Sequence, residues 1–290
     1  MANLRQIRRR IRFIQNTKQI MRAMQLVSAS KLKRTQGRLM HARVVSGYLS
    51  ELLQRVTGEP ANGPTGKRIT HPLCERREPQ TSLVLVVITS DTGLCGAYNT
   101  NLLHLTEAHL RQDGKVPVQL VLIGKKGYRY FTKRGYHAMA SSLDLAGRPT
   151  PQVIRGIATT LLEAFLTKRV DAVHVAYTRF FSMTTFRPVI ESWLPIQLPV
   201  TSYQLPEYIF EPTQERVFED VMPRAAIAQF QTMVLEAFTS EHSARMIAMK
   251  NATDNAEELL DDLTLLRNKV RQASITKEIS EIVGTTEALK

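Results

Sequence analysis

Cysteine is nearly absent from this sequence: Cys74 and Cys95 are the only two in 290 residues. That excludes a disulfide framework and points to a reducing compartment. Neither has a CxxC partner or histidine-rich surroundings, so no metal site is expected. Long apolar runs are missing as well. The longest, LVLVVI at 83–88 and VQLVLI at 118–123, are strand-sized and fall far short of the roughly 18 residues of a membrane span. A membrane is therefore expected to be reached only through partners. Neither GxxxxGK[ST] nor GxGxxG, HExxH or GxSxG occurs, and the seven histidines show no HxH spacing, so no self-sufficient catalytic centre is expected. Proline is absent before Pro60 and again after Pro223, which leaves room for two very long helices.

Acidic residues are scarce at the start of the chain. Residues 1–55 hold thirteen of the 39 lysines and arginines but one of the 26 acids, Glu51, giving +12; the remainder, 26 cations against 25 anions, carries +1. The protein thus has one basic segment and is otherwise balanced. Such a segment suits an acidic partner, whether nucleic acid, anionic lipid or an acidic protein surface.

The basic segment is also a heptad seam. Alternating steps of three and four from Leu4 reach Ile7, Ile11, Ile14, Lys18, Met21, Gln25, Ser28, Leu32, Thr35, Leu39, Ala42, Ser46, Leu49, Leu53 and Val56, with eleven of the sixteen positions apolar. That spacing predicts a coiled-coil helix, N-capped by Asn3 and roughly 80 Å long at about 1.5 Å per residue. Its partner is predicted at the other end of the chain. There Ala228, Leu235, Phe238, Met249, Ala252, Ala256, Leu259, Leu263, Leu266, Val270 and Ala273 form a second seam, interrupted at Gln231, His242 and Arg245. Beyond Ala273 the apolar phase shifts to Ile275, Ile279 and Ile282, where the longer helix is expected to outrun its partner. Met21, Met24, Met246 and Met249 read as seam packing, with an adaptable sliding contact as the alternative.

Between the helices the period changes. Ser82–Thr89, Val116–Ile123 and Ala172–Phe180 read as buried strands, with helical patterns at Asn99–Gln112, after Gly124 and at Thr150–Lys168. Strand, helix, strand, helix, strand implies a small parallel α/β domain. The stretch 57–80 reads as loop, Phe186–Glu211 as extended and proline-punctuated, and Pro223 as a helix break or first-turn residue. The expected fold class is α/β: a long antiparallel coiled coil of the N- and C-terminal helices (1–57 and 212–290) plus a small Rossmann-like base domain (58–211). The turn SDTGLCG at 90–96 sits where backbone amides could hold an anion, but without a phosphate-loop spacing it reads better as a tight turn with partner contacts. GKKGYRY at 124–130 is likewise a basic turn.

Two function classes fit these observations. One is a scaffold or mechanical protein whose helical pair engages other subunits. The other is a nucleic-acid-binding protein using the basic helix, which lacks the interleaved aromatics of a stacking surface, Phe13 being its one aromatic before Tyr48.

Three motifs decide between them: RIRFIQNTKQIMRAMQLVSASKLKR at 10–34, ITSDTGLCGAYN at 88–99, and SEHSARMIAMKNATDNA at 240–256 followed by RNKVRQASITKEISEIVG at 267–284. In identity and order they resemble the γ subunit of F-type ATP synthases, the central-stalk rotor, over the whole chain. The resemblance implies a non-catalytic subunit that binds no cofactor, Mg-ATP and Mg-ADP being held by the α and β subunits. It implies α, β and ε subunits and a c-ring as partners, contact with the membrane only through Fo, and no nucleic acid. The +12 helix would then meet an acidic loop of β. Carried over position by position, Met24, Lys31, Lys33 and Arg245 are expected on one β-facing surface, and Gln272 and Thr276, with Arg271 and Glu278 beside them, at a catch loop of β. Tyr208 and Glu211 in EYIFEP are expected at the c-ring. The motif begins so near Met1 that no targeting peptide is expected, and a peripheral place on the cytoplasmic side of a bacterial inner membrane follows. The chain departs from the family pattern at Thr92 and Ala97, where SDRGLCGG is usual, and at Thr285 and Thr286, where Gly-Ala is usual. The cysteine-bearing insertion of chloroplast forms is not evident, so no thiol switch is expected.

Overall fold

A computed structural model describes residues 4–57, 71–112, 117–145, 150–197 and 210–288. The predicted cap Asn3 and most of the expected loop at 57–80 lie outside them. The first helix, α1 (Leu4–Thr57), runs unbroken for 54 residues. After a 3-10 turn at Pro72–Cys74 come β1 (Leu83–Ile88), α2 (Tyr98–Gln112), β2 (Val118–Ile123), α3 (Lys125–Thr132), β3 (Ala138–Ser142), α4 (Pro151–Leu166), β4 (Ala172–Phe180) and β5 (Phe186–Leu194), and then α5 (Gln214–Ala288), 75 residues long.

Two compact units emerge, and their boundary cuts through both long helices instead of falling at their ends: 1–29 with 245–290, and 30–244. In the larger unit the sheet order is β3-β2-β1-β4-β5. β1 lies parallel to β2 and β4, β2 parallel to β3, and β5 antiparallel to β4. The three predicted strands are all present, and the central one, LVLVVI, is buried at every position, as a parallel strand covered on both faces must be. The sequence reading did not place β3 or β5 in the sheet. β3 is AMASS, exposed at its three central positions, so it has neither alternation nor an apolar run to mark it. β5 was expected to be merely extended; it is an edge strand, and Pro188 sits opposite Thr178, a position an edge tolerates because no further strand needs its missing N–H.

One core cluster packs the face of the sheet holding Val84, Val86 and Val175 against α4 (Ile154, Leu161, Phe165) and α5 (Phe230, Met233, Val234). The other face holds Leu85, Val87 and Leu122 against Leu102 and Phe131. Within this unit the helices run antiparallel: Arg43 of α1 meets Glu236 of α5, and farther along Gln214 Nε2 donates to the Val56 carbonyl. Leu53 and Val56 bury against Phe218, Met222 and Ala225. That packing explains why Pro223 does not break or open the helix as expected. It is the tenth residue of α5, flanked by the fully buried Met222 and by Ala225 and Ala226; tertiary burial outweighs the roughly 3 kcal/mol cost of an interior proline.

In the smaller unit Ile7, Ile11 and Ile14 bury against Ala256 and Leu263, with Met21, Leu260 and Val270 alongside. The α1 seam is as predicted: none of its sixteen positions is exposed. The α5 seam needs a correction. Leu259 and Leu266 are each 42% exposed, and the buried or half-buried line is Met249, Thr253, Ala256, Leu260, Leu263, Arg267 and Val270. Every second position of the predicted line moves by one residue, to Thr253, Leu260 and Arg267; the Leu259–Leu260 pair offers a leucine in either register, and packing on α1 selects Leu260. Leu263→Ala is therefore expected to cost about 2–3 kcal/mol, by lost burial and a cavity, and Leu266→Ala less than about 1 kcal/mol. Thermal unfolding of the two variants checks the register, since equal costs would contradict it.

Candidate functional surface

The turn after β1 is built to dock a helix, and its first amide is already used. Ser90 N donates to Asn99 Oδ1 (3.0 Å) and Ser90 Oγ to the Thr92 carbonyl (2.6 Å). At the N-terminus of α3 Lys125 N donates to Asp91 Oδ1, Lys126 N to the Ser90 carbonyl and Gly127 N to Thr89 Oγ1. A carboxylate of the chain itself caps that helix dipole. Cys95 and Tyr98 bury against Ala244 of α5 and Phe186, and Tyr98 Oη donates to the Ala237 carbonyl (3.0 Å). Two of the three sequence motifs therefore meet: SDTGLCGAYN holds the start of SEHSAR. Elsewhere in this unit burial pushes the half-buried Cys74 thiol up to about 11, leaving negligible thiolate near neutrality.

From Met233 to Arg245 every residue of α5 is buried, whichever way it points. Three polar residues of that stretch that lie off the predicted seam serve tertiary contacts. Ser240 Oγ donates to the Thr178 carbonyl (3.0 Å) and Ser243 Oγ to the Met183 carbonyl. Glu236 accepts from Arg43 and lies 3.9 Å from Arg179 Nε. Arg179 in turn contacts Glu191 and Tyr177. Burial first, then the Glu236 and Glu191 carboxylates, push the Tyr177 hydroxyl far above its usual range, so it stays protonated and donates to Glu191 Oε2 (2.9 Å). These tertiary partners carried no sequence signal, lying up to 193 residues away.

The predicted contact residues separate into distinct groups. Met24 is half-buried, and its carbonyl accepts from Ser28 Oγ (2.7 Å). Lys31 is half-buried and Lys33 exposed; two positions apart on one helix, they do not share a face, contrary to expectation. Arg245 is only 8% exposed and is engaged within the chain, so it is not offered outward as expected. The polar α1 seam positions do not face outward either. Ser28 and Thr35 are buried and bond back to their own helix, and Lys18 pairs with Glu257 (2.9 Å). By contrast Arg271, Gln272, Thr276 and Glu278 are fully presented, as is every residue from 271 to 286. Gln272, Thr276, Ile279 and Val283 make one stripe; Arg271, Ile275, Glu278 and Ile282 make its neighbour. Glu211 is exposed, and Tyr208 lies outside the described residues. A missed feature is a second apolar line on α1: Phe13, Ile20 and Val27, seven residues apart and all more than half exposed. Its heptad spacing was legible, but it competes with the stronger seam.

In the larger unit a helical pair packs on an α/β sheet, and in the smaller unit residues 271–286 of α5 are all exposed; an uncovered helical segment of this kind is the mark of a protein that engages other subunits. Residues 3–289 match the model of the ATP synthase family, and the chain belongs to that family. It is 40% identical to the ATP synthase gamma chain of Symbiobacterium thermophilum over 99% of either chain, and 40% identical to that of Moorella thermoacetica over the full length of both. Among solved structures it matches a chain of the Euglena gracilis mitochondrial ATP synthase, in an assembly of OSCP, F1 and c-ring, with TM-score 0.66 and 22% identity over 99% of this chain and 94% of that one. A chain of the Tetrahymena thermophila central stalk and c-ring matches with TM-score 0.58 and 22% identity over 80% and 99%. The nucleic-acid reading gains no support from these relatives.

Proposed function

We propose that the chain is the central-stalk rotor subunit of an F1Fo ATP synthase, coupling ion flow through a membrane c-ring to ATP synthesis or hydrolysis on α3β3 by rotation. The observation that carries this is the bare end of α5, read with the full-length identity to γ chains. Sixteen consecutive residues, 271–286, are all exposed, yet four are isoleucine or valine. A helical segment of that length is marginal in water on its own, and it is expected to be covered by the α3β3 ring.

In this reading the subunit has no catalytic site of its own and binds no cofactor; Mg-ATP and Mg-ADP stay on α and β. Arg271, Gln272, Thr276 and Glu278 meet β, and Met24 and Lys33 lie near its acidic loop. Glu211, with Tyr208, faces the c-ring, and an ε subunit completes the base. The complex sits peripherally on the cytoplasmic side of a bacterial inner membrane. A shaft that differs on each side presents a different face to each β subunit as it turns, so three identical sites are held in three states.

Charge supports the β-facing assignment. Lys33 and Arg34 are both exposed, and reversing the two to glutamate is expected to slow association with α and β by about tenfold at low salt, with the deficit shrinking as salt screens it. Mixing the full chain with matching α and β subunits and following ATPase activity and rotation tests the whole reading. Active complex forming equally well without this chain, or complex that hydrolyses ATP with no rotation, would defeat it.

A further inference from the structure

We propose that Arg43, Glu236, Arg179 and Glu191 form a torque clamp, the directional contact that fixes the angle of the helical pair on the sheet and carries load between them. The proposal rests on the rotor reading above and assigns the load to named residues. Arg43 on α1 donates from Nε (3.1 Å) and Nη2 (2.8 Å) to Glu236 Oε1 on α5, and from Nη2 also to the Phe180 carbonyl at the end of β4. One guanidinium thus ties two helices and a strand. The second oxygen of Glu236 is buried, forms no hydrogen bond, and faces Arg179 Nε at 3.9 Å. Arg179 extends the chain of contacts to Glu191 on β5 and to the Tyr177 hydroxyl (3.2 Å), which itself donates to Glu191. Two cations and two anions from four elements cancel, around a carboxylate that is 7% exposed.

The physical argument concerns shear. Apolar contacts, such as Phe230 on Trp193 (ring centroids 4.8 Å apart), are non-directional; they resist separation but can exchange neighbours when surfaces slide. Charge-assisted hydrogen bonds depend on distance and angle and weaken steeply when misaligned. A twist of the helical pair on the sheet moves Arg43 and Glu236 sideways past Phe180 and Arg179, breaking these contacts first. A buried carboxylate flanked by two arginines from different elements also has no equally good alternative position. The angle is therefore set here, while the apolar core supplies adhesion.

The test uses the assembled complex with this full chain, a bead on the rotor, and the angular fluctuation of the stalled rotor as readout. Glu236→Gln keeps the volume and removes the charge; Arg43→Lys keeps the charge and removes the fork. Each is expected to raise the angular variance at least twofold. Phe230→Leu, which loosens the apolar face, is expected to lower the melting temperature and leave the variance at the wild-type level. Unchanged variance in both clamp variants overturns the proposal, as does an equal rise in Phe230→Leu, which would make the network ordinary structural support. Failure of the wild-type complex to rotate would instead defeat the rotor reading itself.

Discussion

Alanine at Gly124 lowers the stability of the larger unit by at least about 3 kcal/mol, and as a backbone clash combined with a strained conformation it belongs among the most damaging single substitutions. Gly124 has φ of 96°, a region side chains avoid, and a Cβ there would stand 2.2 Å from the Thr89 carbonyl oxygen and 2.7 Å from its carbon. The obstacle is backbone, so no rotamer change relieves it. Nor can the strand end retreat, because Thr89 N donates to the Ile123 carbonyl (2.8 Å), Gly124 N to the Ser142 carbonyl (3.0 Å) and Gly127 N to Thr89 Oγ1 (2.9 Å). Any shift pulls β1, β2 and β3 out of register together. For a unit of this size, 3 kcal/mol lowers the melting temperature by roughly 6–12 °C. Gly47→Ala, in α1 with nothing within 4 Å of the new Cβ, is expected to act oppositely, raising stability by about 0.5–1 kcal/mol through helix propensity. Thermal unfolding of both variants decides the matter: a Gly124→Ala chain that melts with the wild type would mean that this crossing is looser than its distances imply.

The contrast between α1 and α5 explains how much the sequence could reveal. A heptad seam is a local rule, and in α1 it held at all sixteen positions, even where Lys18, Ser28 and Thr35 occupy it. Along α5 the same rule was ambiguous, because Leu259 and Leu260 offer two registers and the neighbouring steps fall on Thr253 and Arg267, so only the isoleucines of α1 packed against it choose between them. The rule fails between Met233 and Arg245, where the helix is buried all round. Glu236, Ser240 and Ser243 look like solvent-facing positions until Arg43, Thr178 and Met183 arrive from distant parts of the chain. For the same reason the turn at 90–96 was recognisable as a motif while its role as a helix dock was not. Of the proposed partner contacts, Arg271, Gln272, Thr276 and Glu278 come from the resemblance; the phase shift after Ala273 marks only where α5 outruns its partner. Arg245 and Lys31 come from the same resemblance, and they are buried and half-buried within the chain.

Ending the chain at Gln272 is expected to leave folding almost untouched and to remove most of the coupling. Every residue described beyond it, as far as 286, is exposed. Among the described residues its hydrogen bonds and ion pairs stay inside its own helix, as in Thr276 to Gln272, Ser280 to Thr276 and Lys277 with Glu281. The unfolding free energy of the isolated chain should therefore change by less than about 0.5 kcal/mol, the ordinary scale for surface positions. Coupling differs because the apolar residues bare here, Ile275, Ile279, Ile282 and Val283, each gain about 1.5–3 kcal/mol if a partner buries them fully. Their loss removes several such contacts at once, together with Thr276 and Glu278. In complexes rebuilt with matching α, β and membrane sectors, ions pumped per ATP hydrolysed should fall below half the full-length value, while the amount of this subunit bound stays near normal through its base. Bound subunit lost in proportion to pumping would assign the tail to assembly. Pumping retained at full efficiency would place the working contact elsewhere, and the exposed Phe13, Ile20 and Val27 line of α1, a second bare heptad stripe among the described residues, would then be the surface to alter.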